Sequence, residues 1–204
     1  MLLSDDIYEH LVFDDVSFYT MAQIAPDLKE RILTMNGVSK AYAMTGWRIG
    51  FGMGPKWLID AMTKLQGQQT SGACSIAQHA ALAAITNKEE SKKFIDQSCT
   101  VFAKRRDILI NMLNKAKGLS CEKPLGAFYI FADCSKLIGK KTLTGKLLKS
   151  DKDVADALLD EQNIAVVHGS AFGLGPYLRI AYALDEESLV LACEKIQSFC
   201  DALA

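Results

Sequence analysis

The stretch Asn36-Gly37-Val38-Ser39-Lys40-Ala41-Tyr42-Ala43-Met44-Thr45-Gly46-Trp47-Arg48-Ile49-Gly50 sets one lysine among small and apolar residues, with an arginine eight positions later. Burial without a partner lowers a lysine's pKa, because the charged form loses its hydration. A neutral amine is what Schiff-base chemistry uses. A nearby arginine suits a phosphate, since the guanidinium presents a planar fork of donors. Read in isolation, the pattern is more often a solvated loop lysine and an arginine in a surface ion pair, because short motifs have accidental matches.

Two further segments flank this one. Upstream lies Asp5-Asp6-Ile7-Tyr8-Glu9-His10. Carboxylates at the end of a buried strand are well placed for a ligand, since α/β sites gather at strand carboxyl ends. Asp5 and Tyr8 are three apart and would face opposite ways on a regular strand. For both to reach one site, the chain must turn after about Asp6; the alternative is a polar loop following an edge strand. Downstream, His168-Gly169-Ser170-Ala171-Phe172-Gly173-Leu174-Gly175-Pro176 feeds Tyr177-Leu178-Arg179-Ile180-Ala181-Tyr182. Arg179 stands between apolar neighbours. A buried arginine needs an anion to offset its desolvation, and a substrate carboxylate or a structural Asp or Glu would serve.

Outward from these segments the periodicity predicts alternating elements. Strands are expected near 1–4, 31–36 and 48–53, then a helix opened by Pro55 and carrying Trp57, Leu58, Ile59, Met62 and Leu65. A polar loop at 67–72 and an apolar helix at 75–85 follow. Residues 88–117 repeat apolar positions at threes and fours, as one long amphipathic helix would. Beyond it come a strand at 128–132, a helix at 151–162, strands at 164–167 and 177–182, and a helix at 186–203. The basic, Gly-containing stretch 136–149 reads as a solvated excursion. Alternating strands and helices argue an α/β fold.

Composition narrows the function classes. The chain has 204 residues, 50% of them hydrophobic, and a formal net charge of −1. Its lysines and arginines are spread along the chain, which argues against a nucleic-acid face. No apolar run reaches membrane-spanning length. The six cysteines form no C-x-x-C pair and hold no metal-ligand spacing with the histidines. Several lie in apolar helical runs and read as small hydrophobes, which points to a reducing compartment, the cytoplasm. The sequence opens on apolar residues, as if inside a strand.

Taken together and in this order, the segments resemble the class I/II aminotransferases of PLP fold type I, and within them the aspartate aminotransferase branch. Residues 36–50 resemble that family's cofactor-lysine segment, Asp5-Asp6-Ile7-Tyr8 its D-[ED]-x-Y element, and 169–180 its substrate-arginine element. Pro124-Leu125-Gly126-Ala127-Phe128-Tyr129 is similar to another family landmark. The resemblance implies the C-terminal part of the fold: a partial large-domain sheet with helices (1–90), an interdomain helix (91–117) and a small α/β domain (118–204).

The resemblance also implies roles. Lys40 would carry pyridoxal 5'-phosphate and move the proton at the substrate Cα. Asp5 would face the pyridine nitrogen, Tyr8 would hydrogen-bond the ring oxygen, Arg48 would bind the phosphate, and Arg179 would clamp the substrate α-carboxylate. The implied substrates are an amino acid, aspartate by family, and a 2-oxo acid. Family members are about twice as long, so the chain is expected to be a fragment, a truncated frame or one piece of a split protein. Homodimerisation, or association with an N-terminal half, would follow. An inactive remnant serving association and a lyase on the same scaffold are the other readings.

Overall fold

Strand pairing starts with the first residues. Leu2–Asp5 forms β1, and a turn leads through the short helix α1 (Met21–Ile24) and a 3-10 stretch (Pro26–Arg31) to β2 (Ile32–Gly37) and β3 (Gly50–Met53). The order is β1-β2-β3. β1 runs parallel to β2 with Leu2 opposite Ile32, and β3 runs antiparallel to β2 with Gly37 opposite Gly50. In this computed structural model, which describes residues 1–204, the chain divides into two compact units, Met1–Cys99 and Thr100–Ala204.

The first unit continues with α2 (Lys56–Gln69) and α3 (Ser75–Thr86). Ala77 and Ala81, one helical turn apart, bury one stripe of α3 against Val38 and Ile49. Gly37 is where β2 leaves the sheet. A Cβ there would stand 2.8 Å from the Ile49 carbonyl oxygen and 3.1 Å from Gly50 Cα, so only glycine allows this approach. The dividing point falls inside α4 (Lys88–Leu113), whose residues belong to both units.

The second unit holds β4 (Ser120–Cys121), β5 (Tyr129–Asp133), α5 (Asp151–Gln162), β6 (Val167–His168), β7 (Tyr177–Ala181) and α6 (Glu186–Ala202). Its sheet is antiparallel, in the order β4-β5-β7-β6. Alternation puts Ile130, Ala132, Leu178 and Ile180 on the buried face. They join Leu109 and Leu113 of α4, Val154 and Leu158 of α5, and Leu189, Ile196 and Phe199 of α6 in one core. The serine before α5 and the aspartate before α6 start these helices by accepting from Asp153 N and Ser188 N at 3.2 and 2.8 Å. Arg106 of α4 is fully buried; its Nη1 donates to Pro124 O (3.0 Å) and its Nε to Asp107 Oδ1 (2.9 Å).

Several sequence expectations shift. Residues 67–69 are the last turn of α2, not a loop: Gly67 meets nothing within 4 Å, and the surrounding glutamines favour a helix. The long helix stops at Leu113 because the Asn114 side chain turns to β4, donating to Cys121 O (3.1 Å) and accepting from Cys121 N (2.8 Å). The strand expected at 164–167 shrinks to Val167–His168, since Ile164 N is taken by the Leu158 carbonyl at the helix end. The stretch 136–149 is anchored rather than solvated. Leu137 and Leu148 sit in the core, Thr142 is buried, and Lys141 exchanges backbone hydrogen bonds with Ala204.

All six cysteines are free. Burial pushes the Cys134 and Cys200 thiols up to about 12 and the Cys193 thiol to about 11, so these stay protonated as apolar packing. No helix is long and apolar enough to cross a membrane.

Candidate active site

The chain turns directly after β1. Glu9 N donates to Asp6 O (2.9 Å) and Leu11 N to Tyr8 O (2.9 Å), while Ile7 N reaches Asp5 Oδ1 at 3.3 Å. The turn lets Asp5 and Tyr8 line the same cavity, of about 590 Å³, with Lys40 and Arg48 on its other walls. That volume lies within the roughly 300–1,000 Å³ usual for small-molecule pockets. Asp6 points the other way, as the period of a strand requires. It lines a separate cavity of about 580 Å³ with Glu9, His10, Asn36 and Tyr42. Its Oδ1 accepts from Ser4 Oγ at 2.6 Å.

The Lys40 loop is closed by its own backbone. Val38 N donates to Ile49 O (3.4 Å), Ala43 N to Lys40 O (3.1 Å), and Met44 N to Val38 O (3.3 Å). Lys40 is half-buried, and its Nζ stands 5.9 Å from the centroid of the Tyr8 ring, within reach of the ring's negative face. Arg48 is exposed, and its backbone is left-handed (φ 56°, ψ 43°) at the end of the 3-10 turn Thr45–Trp47. A non-glycine residue in that region costs on the order of 1 kcal/mol, which the surrounding turn must offset. Its Nη1 donates to Thr45 O at 2.8 Å, which holds the guanidinium close to its own loop. Trp47 is 44% exposed at the rim of this turn.

Arg179 lies in the second unit, on the face of β7 opposite the core, with Phe131 and Val167 as its cross-strand neighbours. It is half-buried between two rings: its guanidinium carbon is 4.1 Å from the Phe172 centroid and 4.5 Å from that of Tyr129. Such stacking desolvates the two faces of the guanidinium while leaving its edge free to bond a planar anion. No carboxylate of its own unit pairs with it, so the structural Asp or Glu weighed from the sequence is not its partner there.

Residues 1–196 match the family model for aminotransferase class I and II. The chain belongs to the class I and II aminotransferases. A probable aspartate/prephenate aminotransferase of Rhizobium leguminosarum bv. phaseoli is 53% identical over 201 residues, which cover 98% of this chain and 50% of that protein. The aspartate/prephenate aminotransferase of Cereibacter sphaeroides is 52% identical over 203 residues, covering 100% of this chain and 50% of the relative. Among solved structures, the aspartate aminotransferase of Rhizobium meliloti superposes with a TM-score of 0.90 at 48% identity, over 99% of this chain and 50% of its own. The Thermus thermophilus aspartate aminotransferase with maleate does so with 0.83 at 37%, over 97% and 47%. The chain therefore spans about half the length of the curated relatives it matches, and its architecture is part of the aminotransferase fold.

The lining of the Lys40 cavity fits the cofactor of this family by its donor set: an amine, a carboxylate, a phenol and a guanidinium share one concavity. Sequence reasoning passed over Ser39 and Asn36, which line the same space. Asn36 accepts from Gly37 N at 2.7 Å and donates to Glu9 at 2.6 Å, so it braces the turn between the two cavities. It also missed the ring pair around Arg179. Phe172 is close enough in the chain to be suspected, but Tyr129 reaches Arg179 only through strand pairing.

Proposed function

We propose that this chain carries the lysine-bearing half of an aminotransferase centre, exchanging an amino group between an amino acid and a 2-oxo acid. Pyridoxal 5'-phosphate would sit in the Lys40 cavity. The observation that carries the reading is the convergence of Asp5, Tyr8, Lys40 and Arg48 on that one cavity, in a chain of aminotransferase family. When bound, the cofactor supplies an electron sink for the electron pair left on the substrate Cα. The Lys40 Nζ would hold the cofactor covalently and, once displaced, take up the Cα proton. The Asp5 carboxylate would keep a proton on the ring nitrogen. The Tyr8 hydroxyl would donate to the ring oxygen beside the amine, and the Arg48 guanidinium would grip the phosphate bidentately. Arg179 would take the substrate α-carboxylate on its open edge and so orient the Cα–H bond. Aspartate is the proposed amino donor, because the relatives' names carry it. The free thiols support a reducing compartment, the cytoplasm.

Activity is proposed to need a second polypeptide surface, from another copy or from an N-terminal half. Supporting this, the first unit exposes Leu3, Met53, Trp57, Leu65, Ile76 and Leu82 by more than half, an amount of large apolar surface that association would cover. The test is a pyridoxal-phosphate titration of the chain and its Lys40→Ala variant, followed by the visible band of bound cofactor. It is paired with an aspartate/2-oxoglutarate assay with and without the relatives' upstream half added in trans. Lys40-dependent binding, with turnover only in the supplemented sample, is expected. Binding that ignores Lys40 in both samples would overturn the reading.

A further inference from the structure

The loop from Ser170 to Tyr177 is closed around one carboxylate. Asp151, the first residue of α5, is only 4% exposed. Its Oδ2 accepts from Ser170 N at 2.8 Å and from Tyr177 N at 3.4 Å, so both ends of the loop hang on a single oxygen. Its Oδ1 accepts from Ser170 Oγ (2.8 Å) and from Lys152 N (2.9 Å). His168 Nδ1 stands 2.8 Å from the same hydroxyl and extends the chain of bonds outward. Gly175 lies against this carboxylate: a Cβ there would stand 3.2 Å from Asp151 Oδ2, so the carboxylate would have to give by a few tenths of an ångström.

The loop carries Phe172, whose ring covers one face of Arg179, and it delivers Tyr177, two residues before Arg179 on β7. Phe172 itself is 48% exposed and leans on Phe131 at 6.0 Å. Surface packing alone therefore holds it loosely, and the backbone tether must fix where it stands. A carboxylate at the first turn of a helix is stabilised by the helix N-terminus whatever else it does. The two amides across the loop are what an ordinary first-turn aspartate lacks.

We propose that Asp151 is a positioning residue that sets the Arg179 guanidinium by tying both ends of the 170–177 loop to α5. The functional meaning rests on the reading of Arg179 as the clamp for the substrate carboxylate; the orientation effect does not. In neutral solution the tether stays charged. Burial would raise the Asp151 pKa, but the Ser170 amide and hydroxyl and the Tyr177 and Lys152 amides together hold it below the usual carboxylate value.

The test reads the Arg179 Nε–H by NMR in the full chain, assigned with Arg179→Lys. In the wild type the Phe172 and Tyr129 rings should slow this proton relative to a free arginine side chain. In Asp151→Ala it should exchange faster by about tenfold, the effect of losing charge-assisted bonds that restrain a local opening. Ser170→Ala, which removes only the hydroxyl bond, should give a smaller acceleration in the same direction, and it decides the matter if Asp151→Ala does not fold. Unchanged exchange in a folded Asp151→Ala, or in Ser170→Ala where that variant decides, overturns the proposal. Maleate is then titrated into the same samples. An Nε–H that ignores maleate in the wild type counts against the clamp reading alone, and the exchange comparison still judges Asp151.

Discussion

The two units use their hydrophobic residues differently. In the second, three helices and one sheet face enclose a continuous core, from Leu109 and Leu113 to Phe199 and Cys200. In the first, the helix-to-loop core reduces to Val38, Ile49, Ala77 and Ala81, while Trp57, Leu65, Ile76 and Leu82 face outward. The residues proposed to hold the cofactor are on the thinly packed unit. The contrast teaches that the proposed chemistry rests on local loop geometry, the closed Lys40 turn and the left-handed Arg48, whereas the larger continuous core belongs to the other unit. It also explains why the first unit is the one expected to recruit another surface.

Native-state hydrogen exchange tests that contrast most broadly and should show the largest effect. Amides of Ile130 and Leu178 should be protected by about 5 kcal/mol more than those of Leu3 and Phe51, since a full core opens only near global unfolding and an under-packed sheet opens locally. Equal protection in the two sheets would remove the distinction. Next in size, Phe199→Ala should cost about 3–5 kcal/mol in urea unfolding of the second unit through the cavity it leaves, with the first unit's exchange rates unmoved. A loss shared by both units would mean that they fold as one.

Acid gives a smaller, signed effect. The folded-state pKa of Asp151 lies below the ordinary value of 3.8. Its stabilisation is therefore complete above that value and fades as pH falls through the folded one, where the carboxylate is protonated in both states. Asp151→Asn should accordingly be less stable than the wild type by roughly 1.5–3 kcal/mol at pH 7, the range for hydrogen bonds to a charge. The gap should narrow as pH approaches 3. A pH-independent gap would assign the loss to packing rather than charge. Smallest of all, Trp57→Ser should change the unfolding free energy by less than about 0.5 kcal/mol, as exposed positions do, while reducing self-association seen by light scattering. A stability loss of several kcal/mol would show Trp57 to be core.

Legibility followed locality. The Lys40 loop was readable because its lysine, arginine and close-packed glycine lie within fifteen consecutive residues, and the helix expected at 151–162 is α5 with those bounds. The turn after Asp6 followed from the mismatch between a three-residue spacing and a two-residue period. What the sequence hid depends on distant pairings. Lys141 bonds the terminal Ala204, which turned an apparent solvated excursion into part of the second unit. Tyr129 meets Arg179 through the register of β5 and β7, and Asp151 meets Ser170 and Tyr177 across a loop. Periodicity reports which face a residue takes, not which strand lies beside it.

The central claim is that the Lys40 amine, in the cavity shared with Asp5, Tyr8 and Arg48, is the group that takes the aldehyde cofactor. Borohydride reduction of the full chain incubated with pyridoxal phosphate, followed by peptide mapping, tests it most directly. The account predicts that the peptide containing Lys40 carries the reduced cofactor in excess over every surface lysine, and that Arg48→Ala weakens this labelling. Label scattered over exposed lysines, with Lys40 unmodified, would contradict it.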